Sequence, residues 1–190
     1  MKKFDKKMAI ESERIKLREL KLSDAEEIYR LLQDKEMVKW TRIPSPYHRK
    51  DAINFIKNSK IELKKGSKYT FAIVLKETNK IIGCISLRNV DLKNKNAELG
   101  YWLGKKYWRQ GLMTEAIKTI LKFAFIKLKL HKLYASVFEE NVASRKVLEK
   151  NGFMVEGVLK EQRFRFGRWH NEWKFGLLKS DWENKIRNKV

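Results

Sequence analysis

The pattern of apolar and polar residues changes period along the chain. From residue 14 the run RIKLREL alternates, which predicts a half-buried strand with Ile15 and Leu17 turned inward. Ser23 followed by Glu26 is a capping-box spacing and predicts a helix to about residue 32, with Ile28, Leu31 and Leu32 on its apolar face. Residues 34–48 contain Pro44 and Pro46 and predict a loop or a broken helix end. There Trp40, Ile43 and Tyr47 either plug the core edge or line a groove. A helical stripe of Ala52, Ile53, Phe55, Ile56, Ile61 and Leu63 then fills 49–64, and Gly66 ends it.

After Gly66 the period drops to two. Strands are predicted at 69–75, 81–87 and 97–103, with polar turns at 76–80 and 89–96, an antiparallel meander. A helical pattern runs from Leu112 to about residue 130 and a strand covers 133–138. Asn141 opens a helix that Asn151 and Gly152 stop at about residue 150. Strands at 153–159 and 169–178 flank a tight basic turn at 163–167. Residues 1–12 read as a loosely attached basic segment, and residues from 181 as a polar tail with Trp182 as an anchor. The order β-α-α-β-β-β-α-β-α-β-β predicts an α/β fold in one domain, a mixed sheet covered by helices on both faces.

Composition narrows the setting. With 190 residues, 43% of them apolar, the chain can bury a sizeable core. One cysteine rules out an intrachain disulfide, and no histidine or cysteine cluster has metal-ligand spacing, so no metal is expected. Cys84 lies among apolar residues and reads as a small buried hydrophobe. No apolar run has membrane-span length, and no apolar signal core follows the basic N-terminus, so a cytoplasmic address is expected without a membrane partner. The net charge of +21 favours anionic partners, among them a phosphorylated cofactor, nucleic acid or an acidic protein. Lysines occur in almost every segment, the mark of a generally solvated surface rather than a dedicated nucleic-acid face.

The candidate chemistry centres on residues 97–117, AELGYWLGKKYWRQGLMTEAI. A strand feeds a basic loop bounded by Gly104 and Gly111, and a helix follows. The start of such a helix offers free N–H groups and a positive dipole end, which predicts a phosphate site, with Lys105, Lys106 and Arg109 adding charge. The competing reading is a solvated loop in which Gly111 only relieves the turn. There is no GxxxxGK[ST] and no GxGxxG after a strand, so neither common nucleotide loop applies.

YWLGKKYWRQGLMTEA at 101–116 and NVASRKVLEKNGF at 141–153 resemble the coenzyme segment and the following helix of GCN5-related N-acetyltransferases. ELGYWL at 98–103, with Asn141 and Ser144, resembles the branch that acetylates N-terminal amines of ribosomal proteins, and the likeness spans about residues 14–178. The resemblance implies a single N-acetyltransferase domain over 1–190 whose sheet splays near Tyr101 and Tyr134. It implies acetyl-coenzyme A as co-substrate. Main-chain N–H groups of Arg109, Gln110, Gly111, Leu112 and Met113, with Thr114, would hold the pyrophosphate. Tyr101, Trp102, Leu103, Trp108 and Asn141 would follow the rest of the coenzyme, and Arg145 its outer phosphate. Glu98 is the expected base, acting directly or through water; otherwise it faces solvent or caps a turn. Leu148 stands where the family often has a tyrosine acid, and Ser144 is the expected substitute. Met113 stands where a small residue is usual.

The implied reaction is direct acetyl transfer to a primary amine, foremost a protein N-terminus, without a covalent enzyme intermediate. The acceptor would thread between residues 30–48 and the turn at 160–168. Basic residues there, including Lys35, Lys39, Arg42, Lys160, Arg163, Arg165 and Arg168, favour an acidic target. Two alternatives stand beside it: a polyamine or aminoglycoside acetyltransferase, and a non-catalytic nucleic-acid or ribosome-binding protein on the same fold. A monomer and a homodimer fit the pattern equally.

Overall fold

The alternation at residues 14–20 forms strand β2 (Ile15–Glu19), with Ile15 and Leu17 fully buried as expected. The structure, a computed structural model, describes residues 9–188. The expected looseness of residues 1–8 lies outside the described residues. Residues 10 and 11 are not loose. They form a short strand β1 (Ile10–Glu11) against β2, and Ser12 Oγ donates to Glu115 Oε1 at 2.7 Å.

The remaining elements follow the predicted order with additions. Helices α1 (Ala25–Leu31), α2 (Lys35–Lys39) and α3 (Arg49–Lys65) precede the meander β3 (Tyr69–Leu75), β4 (Lys80–Asp91) and β5 (Asn96–Leu103). Then come α4 (Leu112–Lys122), β6 (Lys132–Phe138), α5 (Val142–Lys150), β7 (Met154–Arg165), β8 (Arg168–Leu178) and α6 (Lys179–Arg187). The eight strands form one sheet in the order β1-β2-β3-β4-β5-β6-β8-β7. Among the described residues β5 and β6 are its parallel pair, and the other neighbours are antiparallel.

Period-two alternation sends successive side chains to opposite faces, so the central strands feed two cores. Phe71, Ile73, Ile85 and Leu87 pack with Ile117, Ile120 and Leu121 of α4. Ala72, Val74 and Cys84 face the other way and pack with Ile28 of α1 and Ile56 of α3. Burial pushes the Cys84 thiol up, with the nearby Asp24 charge adding to it, as suits a packing residue rather than a nucleophile.

Several details differ from the sequence expectation. Ser23 and Glu26 do not open α1. Asp24 is the residue that precedes α1, and its carboxylate closes the preceding turn by accepting from the Lys21 N–H at 2.7 Å while Arg18 grips it. Glu26 instead pairs with Arg49 at 3.0 Å. Residues 34–48 are less irregular than the prolines suggested, because Asp34 caps the short helix α2. On α3 the apolar stripe is narrower: Ala52 and Ile56 are fully buried and Phe55 and Leu63 pack at the core edges, while Ile53 and Ile61 are 38% and 51% exposed. The turns after β4 and β7 are shorter than expected, and both strands are longer. The tail is helix α6, held by Trp182 against Phe125 with ring centroids 5.2 Å apart. No helix among the described residues is long and apolar enough to cross a membrane.

Candidate active site

The site begins where the sheet parts. Strands β5 and β6 pair only from Asn96 and Lys132 to Glu98 and Tyr134. Beyond that point β5 stays with β4 as far as Leu103, while β6 stays with β8 as far as Phe138. Each strand follows its outer neighbour, so the inner backbone edges separate. A cavity of about 900 Å³ opens between them, lined by residues 99–103 and 135–138. It reaches the start of α4 at one end and the space beneath α3 and residues 40–47 at the other.

The loop before α4 is pinned from both sides. The Trp108 indole N–H donates to the Leu103 carbonyl at 2.6 Å. The Gln110 amide donates to the Lys106 carbonyl at 3.0 Å, and the Gln110 carbonyl accepts from Arg14 at 2.9 Å. Arg14 and Ser12 converge on Glu115 in the first turn of α4. Burial pushes the Glu115 carboxyl up, but those hydrogen bonds and the Arg14 charge outweigh it and leave it below the usual range. Gly111 takes φ +76° as the residue before the helix.

The cavity is lined at this end by Trp108, Arg109, Gly111, Leu112, Met113 and Thr114. The first-turn N–H groups have no acceptor within the helix and point outward from its start, the geometry that receives phosphate. Met113 is buried in the larger core, so its bulk is accommodated there. The open strand edges beyond supply backbone donors and acceptors for an amide-bearing arm. An anion site leading into a lined slot fits coenzyme A. Gly111→Ala places a Cβ at positive φ and 3.4 Å from the Arg14 guanidinium. We expect this variant to bind coenzyme A about fivefold more weakly, a strain of about 1 kcal/mol, measured by calorimetric titration.

At the split, the Tyr101 hydroxyl and Ser144 Oγ are 2.8 Å apart. Both residues line the cavity. Burial pushes the Tyr101 phenol up, and the Ser144 hydrogen bond only partly opposes it. Ser144 is held by Asn141, whose side chain accepts from the Ser144 N–H at 3.1 Å and caps α5. The capping and cavity-lining roles of Asn141 therefore coincide. Leu148 is fully buried and does not line the cavity.

Of the sequence-derived candidates, Trp102 and Leu103 also line the cavity, whereas Glu98, Gln110 and Arg145 do not. Arg145 pairs with Glu149 at 2.8 Å and lies over the Trp173 ring. Glu98 accepts from Arg88 at 2.9 Å and from Asn89 at 3.2 Å, with Arg42 at 3.6 Å. Its expected alternatives of facing solvent or capping a turn do not describe it. These partners engage both carboxylate oxygens, and Glu98 lies behind the residues that line the cavity. Three carboxylates reach the cavity wall, Asp51, Glu140 and Glu172; Glu172 of β8 is the most buried of them, 2% exposed and gripped by Arg42 and Arg163, each at 3.2 Å. Sequence reading passed over Glu172, Arg88 and Thr70. For Thr70 and Arg88 the available signal was parity, since they share strand faces with the apolar Ala72 and Cys84; Glu172 shares its face with His170 and Lys174 and carried no such signal.

The fold and site define a class. Residues 14–154 match the model of the acetyltransferase (GNAT) domain, and the chain belongs to that family. It is an acetyltransferase whose co-substrate is acetyl-coenzyme A. Over 175 residues it is 32% identical to the N-acetyltransferase p20 of Bacillus licheniformis, covering 90% of this chain and 96% of that one. It is 29% identical to the ribosomal-protein-serine acetyltransferase of Escherichia coli over 96 residues, 50% of this chain and 54% of that one. It superposes with TM-score 0.80 and 26% identity on the microcin C7 self-immunity acetyltransferase MccE in complex with acetyl-CoA and AMP, covering 88% and 93% of the two chains.

Proposed function

We propose that the protein acetylates the N-terminal α-amine of a protein or peptide by direct attack, with no covalent enzyme intermediate. The observation that carries this reading is the acceptor end of the cavity. It is roomy, and Arg42, Lys68 and Arg88 line it. The carboxylates on its wall are already engaged. Asp51 accepts from the His48 N–H, Glu140 faces His170 and Arg168, and Glu172 is held by Arg42 and Arg163. A polyamine needs uncommitted carboxylates along its length, so the small-amine alternative is disfavoured. A peptide brings one amine and a neutral backbone. The ribosomal-protein-serine acetyltransferase relative supports the same choice.

The coenzyme supplies the acetyl thioester. The chain's part begins with the N–H groups at the start of α4, which fix the coenzyme's anionic end. The splayed edges of β5 and β6 fix its arm and align the acyl group with the incoming amine. Ser144 Oγ, coupled to the Tyr101 hydroxyl, holds the proton that the departing sulfur takes up. Glu98, acting through water, or Glu172 from the cavity wall receives the amine's proton.

An α-amine titrates at about 8, so its neutral form is already appreciable near pH 7. Activity on a peptide should therefore rise from pH 6.5 and level off above the amine pKa. The Tyr101 phenol is raised above its ordinary value and keeps its proton throughout. No descending limb is expected below about pH 10, the ordinary tyrosine range. A kcat/KM profile with coenzyme A release as readout checks both limbs. The reading itself is tested by offering peptides and spermidine in parallel. Turnover with spermidine alone would move the protein to the small-amine class.

A further inference from the structure

The sheet face under α3 carries a polar row where an apolar one is usual. Thr70, Ser86 and Gly100 lie opposite one another on β3, β4 and β5. Arg88 and Glu98 form the next pair along β4 and β5. Gly100 lets the Arg88 guanidinium lie over the row, since a Cβ there would come within 3.2 Å of Arg88 Cζ. Thr70, Ser86, Gly100 and Arg88 all line the cavity.

Around this row the charges do not balance. Glu98 is shared by Arg88 and Arg42, and Glu172 by Arg42 and Arg163. Arg165 joins them, bonded through Nη2 to the Ile43 carbonyl at 2.6 Å. Three guanidinium groups thus meet two carboxylates that are 5% and 2% exposed, and Arg165 adds a fourth positive charge without touching either carboxylate. Arg165 is held below its ordinary pKa by burial and by the Arg163 charge, as suits a crowded cation. Arg88 Nε, Arg165 Nε and the Thr70 hydroxyl are buried without a hydrogen-bond partner among the described residues. An arginine Nε–H can only donate, so what the cluster lacks is an acceptor, and its net charge asks for an anionic one.

We propose that this cluster is an acceptor subsite for an acidic side chain close behind the amine, with Arg88 Nε and the Thr70 hydroxyl donating to the carboxylate and Arg42 facing it from the loop. The proposal rests on the peptide-acetyltransferase reading above. It narrows that reading to N-termini with aspartate or glutamate in the first few positions.

The test is calorimetric binding of short peptides to the protein without coenzyme, followed by kcat/KM on the same set. The peptides carry aspartate, asparagine or lysine behind the terminal residue. A hydrogen-bonded ion pair of this kind should make the aspartate peptide bind about 10- to 100-fold tighter than its asparagine isostere. The preference should shrink in Arg88→Gln and in Thr70→Val, with coenzyme A affinity unchanged as the check on folding. Thr70→Val matters because Arg88→Gln also strips Glu98 of a partner. Equal binding of the aspartate and asparagine peptides overturns the subsite, as does an equal loss for both in the variants. Preference for an amine-bearing nucleoside monophosphate over every peptide also overturns it and reassigns the cluster to phosphate. Peptides acetylated without regard to the acidic residue would sink this inference alone. No acetylation of any peptide would sink the underlying reading as well.

Discussion

Ser144→Ala is expected to lower kcat by about 100- to 10,000-fold, the usual worth of a positioned proton donor. Coenzyme A affinity should hold, because the Asn141 cap is anchored on the Ser144 N–H and survives the change. Tyr101→Phe should cause a loss of similar size, since its hydroxyl is the hydrogen-bond partner of Ser144 Oγ at 2.8 Å. The two hydroxyls act as one unit in this account. The double variant should therefore be little worse than the poorer single one, and a double-mutant cycle on kcat reads this coupling. Losses that simply multiply would show that the hydroxyls act separately. A normal kcat in Ser144→Ala would remove the donor role altogether.

Phe123→Ala is expected to cost about 3–5 kcal/mol of stability, as for a large aromatic deleted from a core. Phe123 sits where α4 passes into π geometry, a stretch running over Phe123–Lys127. Its ring meets Tyr69 and Phe71 edge-on, with centroids 5.5 and 5.4 Å away. The residue is 2% exposed, so its removal opens a hole that α4 and β3 cannot both close. A whole domain of this size is held by only about 5–15 kcal/mol, so the variant should unfold at markedly lower urea. Ile61→Ala on the outer face of α3 serves as the contrast. At 51% exposure it should change stability by no more than about 0.5 kcal/mol. A comparable loss from both variants would mean that the burial pattern is wrong.

Local periodicity made much of the fold readable. The alternation of β2 and β3, the stop at Gly66 and the cap at Asn141 each depend on neighbours within a few residues. The glycine-bounded basic loop and helix start were readable for the same reason. Tertiary partners were not. Asp24 rather than Ser23 precedes α1, and its carboxylate is held from across a turn by Arg18. Ile61 has a helical-stripe spacing, but only the sheet's extent decides whether a stripe is covered.

The site divides along the same line. Tyr101 and Ser144 are 43 residues apart, and only the packing of α5 beside the split strand joins their hydroxyls. Glu98 stood out as a charge in an apolar run. Nothing local revealed that Arg88, Asn89 and Arg42 would close around it. Glu172 was hidden by its surroundings, a charge among the alternating aromatic and polar residues of β8.

The most direct measurement is the position of the acetyl group after a single reaction. A peptide with a free N-terminus, an aspartate close behind it and one internal lysine would be incubated with acetyl-coenzyme A. The product would then be sequenced by tandem mass spectrometry. Acetylation is expected at the α-amine, with the lysine unmodified because its amine, at a pKa of about 10.4, stays charged near neutrality. Acetyl found on the lysine, or an unmodified peptide under conditions where spermidine is acetylated, would contradict this expectation.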